Sequence, residues 1–211
     1  MAEADPLVLV VDDDESVCRA LARLLRSAGH AVRVFASAGE FRANADLDGR
    51  PCCLLLDVEL PDINGLELQH EVGEIVPIIF ISGHGDIPMT VHAMKAGACD
   101  FLPKPVRDDD LLRAVDHALE RARQTHTKRC EANTLRQRFE RLTRREREVM
   151  ALVVTGRLNK QVASDLGTAE KTIKAHRARV MEKMEVTSLA QLVHLVDKVD
   201  LFSASDTRLS R

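Results

Sequence analysis

Over the first 120 residues, short apolar runs rich in β-branched residues alternate with segments of helical spacing, and this alternation constrains the fold more than any other feature. Leu7 to Val11 is one such run. It stops at Asp12, Asp13 and Asp14, and from Ser16 to Ala28 the residues Val17, Leu21, Leu24 and Leu25 recur at helical intervals before Gly29. Further runs lie at Ala31 to Phe35, Cys53 to Leu56, Pro77 to Ile81 and Cys99 to Leu102, separated by segments around Ala38, Gly65 and Pro88 that read as helices. A parallel crossover needs a helix-sized connection, so this order predicts a parallel sheet covered on both faces. A last helix is expected from Asp108, where Asp108, Asp109 and Asp110 suit the positive N-terminal end and Leu111, Leu112, Val115, Ala118 and Leu119 turn inward.

From Arg121 to Arg138 apolar residues thin out and charges dominate without helix breakers. The stretch is either an extension of that helix, the favoured reading, or a solvated linker. At Leu142 the pattern changes. Thr143 and Glu146 have the spacing of a capping box, opening a helix from Arg144 to Val154 that Gly156 ends. A short helix over Asn159 to Leu166, a turn at Gly167, a third helix capped by Thr168 and running to about Met184, and a fourth over Leu189 to Val199 complete an all-helical domain. The predicted boundaries are 1–120, a helical linker over 121–140, a second domain over 141–202 and a tail over 203–211.

Charge separates the two halves. Through Glu120 there are 10 Lys and Arg against 22 Asp and Glu, a net of −12; the remainder has 20 against 11, a net of +9. A basic domain can release counterions by contacting DNA phosphates, whereas an acidic one is repelled, so the halves should have different partners. Trp and Tyr are absent, which disfavours stacking of single-stranded bases on aromatic platforms and favours duplex DNA. The five cysteines form no C-x-x-C pair, and adjacent Cys52 and Cys53 should point to opposite faces of a strand, which disfavours a disulfide framework or a thiolate metal site. No apolar run approaches the roughly 20 residues that span a bilayer, and no signal-peptide pattern opens the chain, so a cytoplasmic protein without a membrane partner is expected.

The carboxyl ends of neighbouring parallel strands open onto one crevice, where Asp12 and Asp13 can converge with Asp57. Three carboxylates together need a cation, and hard oxygens suit Mg2+ (or Mn2+) rather than Zn2+. Taken alone, Asp12 to Asp14 read equally well as the cap of a helix. Ser82, ending the fourth run, and Lys104, following the fifth, add a hydroxyl and an ammonium at the same edge, a combination that fits a phosphoryl site.

In order and type, Asp12-Asp13, Asp57 with Pro61 and Gly65, Ser82-Gly83 and Lys104-Pro105 resemble the receiver domain of two-component response regulators. The stretches from Ser82 to Met89 and from Met94 to Ala98 resemble the FixJ branch of the NarL/FixJ family. The resemblance implies a doubly wound, five-stranded, flavodoxin-like α/β sheet whose Asp57 accepts a phosphoryl group from a sensor histidine kinase. It further implies a metal held by Asp13, Asp57 and the backbone carbonyl of Glu59 with Asp12 in support, a cis Lys104-Pro105 bond, and Ser82, Phe101 and Lys104 as switch residues. Glu59 stands where an Arg is more typical, but only its backbone is asked to bind metal.

Residues Leu142 to Val199 resemble the LuxR-type helix-turn-helix, through Leu142-Thr143, Arg145-Glu146, Glu148-Val149, Gly156, Asn159-Lys160, Thr172, Lys174 and His176. Helical spacing places Ile173, Val180 and Met184 on one face of the third helix and Lys171, Lys174, Ala175, Ala178 and Arg179 on another. The first face packs. The second suits a major groove, with the small alanines permitting close approach and the lysines donating to bases or phosphates. Thr172, Asn159 and Lys160 are expected to position phosphates, and His176 to be either a DNA contact or a structural hydrogen-bonder.

Together the resemblances imply a DNA-binding transcriptional regulator, not an enzyme beyond self-phosphorylation and slow self-dephosphorylation. Its implied partners are the kinase, double-stranded promoter DNA and a second copy on phosphorylation, with room for RNA polymerase. A phosphohydrolase using Asp57 as nucleophile is the alternative from another class; it lacks an evident cap insertion and leaves the basic domain unexplained. A redox sensor using Cys52 or Cys130 lacks a clear activating basic cluster.

Overall fold

A computed structural model describes residues 5–47, 49–83 and 87–196. Strands β1 (Leu7–Val11), β2 (Ala31–Phe35), β3 (Cys52–Asp57), β4 (Ile78–Ser82) and β5 (Asp100–Pro103) alternate with helices α1 (Glu15–Ser27), α2 (Ala38–Asn44), α3 (Gly65–Val72), α4 (Ile87–Lys95) and α5 (Asp108–Glu140). All pairings are parallel, in the order β2-β1-β3-β4-β5. The parallel sheet expected from the alternation is therefore present, in the five-stranded, doubly wound form that the resemblance implied.

Strand alternation builds one core on each face. Leu7, Leu9, Val11, Cys52, Leu54, Leu56, Ile78 and Phe80 share one with Ala38 and Phe41 of α2 and Leu68 of α3. Val8, Val10, Cys53, Leu55, Ile79 and Ile81 share the other with α1 and with Leu111, Val115, Ala118 and Leu119 of α5. Cys52 and Cys53 do face opposite ways. Three strands differ from the apolar runs by one residue at each end, and β3 and β4 end later because polar residues continue the ladder: Asp57 pairs with Ile81 and Ser82 with Pro103.

Of the two readings for Arg121 to Arg138, the helix is the one observed, since α5 runs unbroken to Glu140. The chain divides into two compact units between Thr127 and Lys128. In the second, α6 (Arg144–Val154), α7 (Asn159–Asp165) and α8 (Glu170–Lys183) are followed by a helical stretch over 189–196. Leu142, Met150, Val180, Met184 and Leu192 form one cluster of its core; Val149, Val153, Val162, Ala163 and Ile173 form another.

The capping box at Thr143 and Glu146 is formed, and Gly156 and Gly167 take φ of 84° and 62°, the left-handed region that ends a helix without a Cβ penalty. Thr168 is not the cap of the third helix. Ala169 holds that position without a side-chain bond, while the Thr168 N–H closes the preceding turn on the Ala163 carbonyl at 2.9 Å. The predicted helix end at Val199, the tail over 203–211 and the His84-Gly85-Asp86 part of the FixJ-like stretch lie outside the described residues.

Candidate metal centre and nucleic-acid interface

Strand order reverses between β1 and β3, which is where an open α/β sheet leaves a crevice at its carboxyl edge. Asp12 follows β1 and Asp57 ends β3; both are buried, whereas Asp13 is exposed. Carboxylate oxygens from the three lie within 4.8 Å of one another, a hard-oxygen set able to hold a divalent cation such as Mg2+. The two readings of the aspartate run both hold, on different residues. Asp14 caps α1, accepting the Ser16 and Val17 N–H groups at 2.7 and 3.3 Å, and leaves Asp12 and Asp13 to the cluster.

Lys104 reaches this cluster from beyond β5. Its Nζ donates to Asp12 Oδ2 at 2.8 Å and to Asp57 Oδ2 at 2.6 Å. Its backbone N–H donates to the Ser82 carbonyl at 2.8 Å, which places it beside the end of β4, and the bond to Pro105 is cis, as the resemblance implied. Burial pushes the Asp12 carboxyl above its usual range, outweighing the hydrogen bonds from Lys104 and the Asp14 amide that act the other way. Burial alone would lower the Lys104 ammonium, yet its hydrogen bonds to Asp12 and Asp57 raise it above the ordinary lysine value. Lys104 is therefore a fixed positive charge against two carboxylates.

The loop from Val58 to Asn64 wraps Asp57. The Glu59 N–H donates to Asp57 Oδ1 at 3.1 Å, and the Gly65 N–H donates to the Val58 carbonyl at 2.8 Å. A Cβ at Gly65 would sit 2.3 Å from the Asp57 carbonyl oxygen, so only glycine lets α3 begin this close to the site. Glu59 contributes no carboxylate to the cluster. Ser82 is buried at the same edge, and Phe101, half-buried, lies with its ring centroid 6.1 Å from that of Phe80. Sequence reasoning missed the Cys18 Sγ, which donates to the Asp12 carbonyl at 3.2 Å; a lone cysteine in a helix gives no signal of that bond.

In the second unit α7 and α8 are joined by the turn at Gly167. Ile173, Val180 and Met184 are buried, as their spacing required, and Lys171, Thr172, Lys174, Ala175, Ala178 and Arg179 are exposed together with Lys160 of α7. His176 and Arg177 flank the packed face, both half-buried. His176 Nδ1 is buried without a hydrogen-bond partner among the described residues. Arg177 donates to Asn159 Oδ1 at 3.3 Å, an orienting contact that spacing along the sequence did not disclose.

A sheet with an acidic pocket at its switch point, carried on one chain with a helix-turn-helix, is the make-up of a two-component response regulator. Residues 8–116 match the response regulator receiver domain family and residues 140–196 match the luxR family of bacterial regulatory proteins; the chain belongs to the response regulators that join a receiver to this DNA-binding domain. It is 43% identical over 203 residues to response regulator protein TodT of Pseudomonas putida, covering 94% of this chain and 88% of TodT. Nodulation protein W of Bradyrhizobium diazoefficiens is 47% identical over 209 residues, covering 98% and 91% of the two chains. Transcriptional regulatory protein FixJ of Rhizobium meliloti is 42% identical over 194 residues, covering 90% and 95%. Among solved structures, response regulator StyR is similar with a TM-score of 0.79 and 47% identity, over 92% of this chain and all of that one.

Proposed function

We propose that Asp57 accepts a phosphoryl group from the phosphohistidine of a sensor histidine kinase, and that this modification promotes homodimerisation and promoter binding. The observation that carries the reading is the Lys104 ammonium bonded to both Asp12 and Asp57, within an acidic set built for a divalent cation. A carboxylate oxygen of Asp57 attacks phosphorus, the P–N bond breaks, and the histidine nitrogen leaves with its electron pair, giving an acyl phosphate. Asp13, Asp57 and the Glu59 carbonyl, with Asp12 in support, would hold Mg2+ or Mn2+, whose positive charge would offset that of the phosphoryl group. Lys104 supplies more, exchanging its bond to Asp57 for one to the phosphoryl group, and the Ser82 hydroxyl donates to another oxygen. Phe101 follows Ser82, which remodels the face of α4, β5 and α5.

That face suits a second copy. Ile87, Val91 and Met94 of α4 recur at helical spacing and are 80%, 43% and 42% exposed, an apolar stripe of the kind that marks an interaction surface. In the dimer, Lys171, Lys174, Ala175, Ala178 and Arg179 of each α8 read base edges. Asn159, Lys160 and Thr172 hold phosphates, and His176 contacts DNA at the margin. The functional boundaries proposed are 1–120 for the receiver, 121–140 for the linker, 141–202 for the DNA-binding domain and 203–211 for a tail. The protein acts in the cytoplasm, with RNA polymerase as a further partner. In keeping with this, no helix among the described residues is long and apolar enough to cross a membrane.

The test is duplex promoter binding by wild type and Asp57→Ala, with and without Mg2+ and acetyl phosphate, while mass is followed. Wild type should gain one acid-labile phosphoryl group and bind more tightly, and Asp57→Ala should gain neither. Binding that ignores phosphorylation would remove Asp57 from control of DNA. Turnover of phosphate monoesters would instead favour a phosphohydrolase.

A further inference from the structure

The loop after the phosphoacceptor is clipped to a helix that the chemistry does not otherwise use. Asp62 accepts the Gly39 N–H through Oδ2 at 2.7 Å and the Ala38 N–H through Oδ1 at 3.3 Å, both at the start of α2. Ser37 accepts the next amide, that of Glu40, at 3.1 Å. The first three amide donors of α2 are thus filled, two of them by a carboxylate more than 20 residues away in sequence. The Gly39 amide leads the causes that hold the Asp62 carboxyl below its ordinary range, as a charge-assisted bond should.

Gly39 is fitted to this contact. A Cβ there would lie 3.3 Å from Asp62 Oδ2, close enough to push the carboxylate. The helix that receives the clip is itself fixed, with Ala38 and Phe41 buried in the core that contains Leu56 and Val58 and against which Leu60, Ile63 and Leu66 pack. The inner side of the loop is held separately, by the bridge between Glu59 and Asn64 and by the Glu59 N–H on Asp57 Oδ1. Asp62 alone ties the outer side to α2 among the hydrogen bonds described.

We propose that Asp62 is a positioning residue for phosphoryl transfer: clipped to Ala38 and Gly39, it holds the loop from Val58 to Asn64 so that Asp57 and the Glu59 backbone keep their places. The proposal rests on Asp57 being the phosphoacceptor. Without the clip the loop samples more conformers, and ordering it falls on the step that binds the cation and aligns the acceptor. The half-saturating Mg2+ concentration should therefore rise more than the rate at saturating Mg2+ falls.

The experiment follows acetyl phosphate-driven mass gain of the full-length protein across a Mg2+ titration, for wild type, Asp62→Ala, Asp62→Asn, Gly39→Ala and the double variant Asp62→Ala/Gly39→Ala, with thermal unfolding of each. Asp62→Ala should need about fivefold more Mg2+ for half-saturation, a modest fraction of what misplacing a reacting group can do. Asp62→Asn, which keeps one acceptor oxygen, should fall between. Gly39→Ala should raise the Mg2+ requirement only when Asp62 is present, because its sole offence is to crowd that carboxylate. An Asp62→Ala protein that tracks wild type at every Mg2+ concentration, or a Gly39→Ala effect of the same size in both backgrounds, overturns the clip and leaves the acceptor untouched. A wild type that gains no mass takes down the reading of Asp57 and the clip together.

Discussion

Gly65 shows how closely single atoms constrain the site. With 2.3 Å between its hypothetical Cβ and the Asp57 carbonyl oxygen, Gly65→Ala must move the end of β3 or the start of α3. We expect it to destabilise the first unit by about 2–3 kcal/mol, in the range of overpacking a well-packed core, and to slow mass gain from acetyl phosphate; denaturant titration and mass spectrometry measure the two. Glu146 sets a pH dependence in the second unit. The Lys183 ammonium at 2.7 Å, with the Thr143 amide, lowers its carboxyl from 4.5 to about 2. A carboxyl whose folded value is depressed stabilises fully above about pH 4.5, and that contribution is lost as pH falls toward about 2. Glu146→Gln should flatten the acid dependence of second-unit stability across this window, removing on the order of 2 kcal/mol at neutral pH, as followed by calorimetry. The acidic residues of the site were legible because a strand that stops at an aspartate advertises the sheet edge. Asp62 was not, because it lies in a loop and its partners sit on a distant helix, with no local pattern linking them.

Whole elements were legible in proportion to how much of their signal was local. Helix α6 begins at Arg144 and ends at Val154 as read, because the capping box and Gly156 are written in adjacent residues. Strand ends were displaced, since Asp57 and Ser82 are polar and yet belong to the ladder, a fact settled by neighbours on other strands. Thr168 misled because hydroxyl residues before a helix have two uses, and here the backbone of the preceding turn claims that position. The persistence of α5 could only be favoured from composition, because a charged stretch without breakers satisfies a helix and a linker alike. On α4, Val91→Asp should weaken phosphorylation-dependent dimerisation by tenfold or more, as burying an unpaired charge would. Mass gain at Asp57 should stay at the wild-type level; sedentary monomer in ultracentrifugation of the phosphorylated variant, beside dimer in wild type, is the expected outcome.

At the scale of the whole molecule, each unit has its own core, and among the described residues only the first contains the acidic cluster. A ligand that binds one folded unit stabilises that unit by mass action. Mg2+ should therefore raise the calorimetric transition of the first unit, by about 1.4 kcal/mol when free ion is tenfold above its dissociation constant, and leave that of the second in place. A joint rise would mean that the units unfold as one. Lys104, bonded to Asp12 and Asp57, also fixes the electrical balance of the pocket. Three carboxylates and one ammonium sum to −2, provided all are ionised, so a divalent ion brings the pocket to neutrality while a monovalent one leaves it negative and a trivalent one makes it positive. A neutral pocket can admit an incoming dianion without the repulsion that bare aspartates would exert. The lysine thus does more than touch its neighbours: it sets the valence of the ion that would bring this pocket to neutrality.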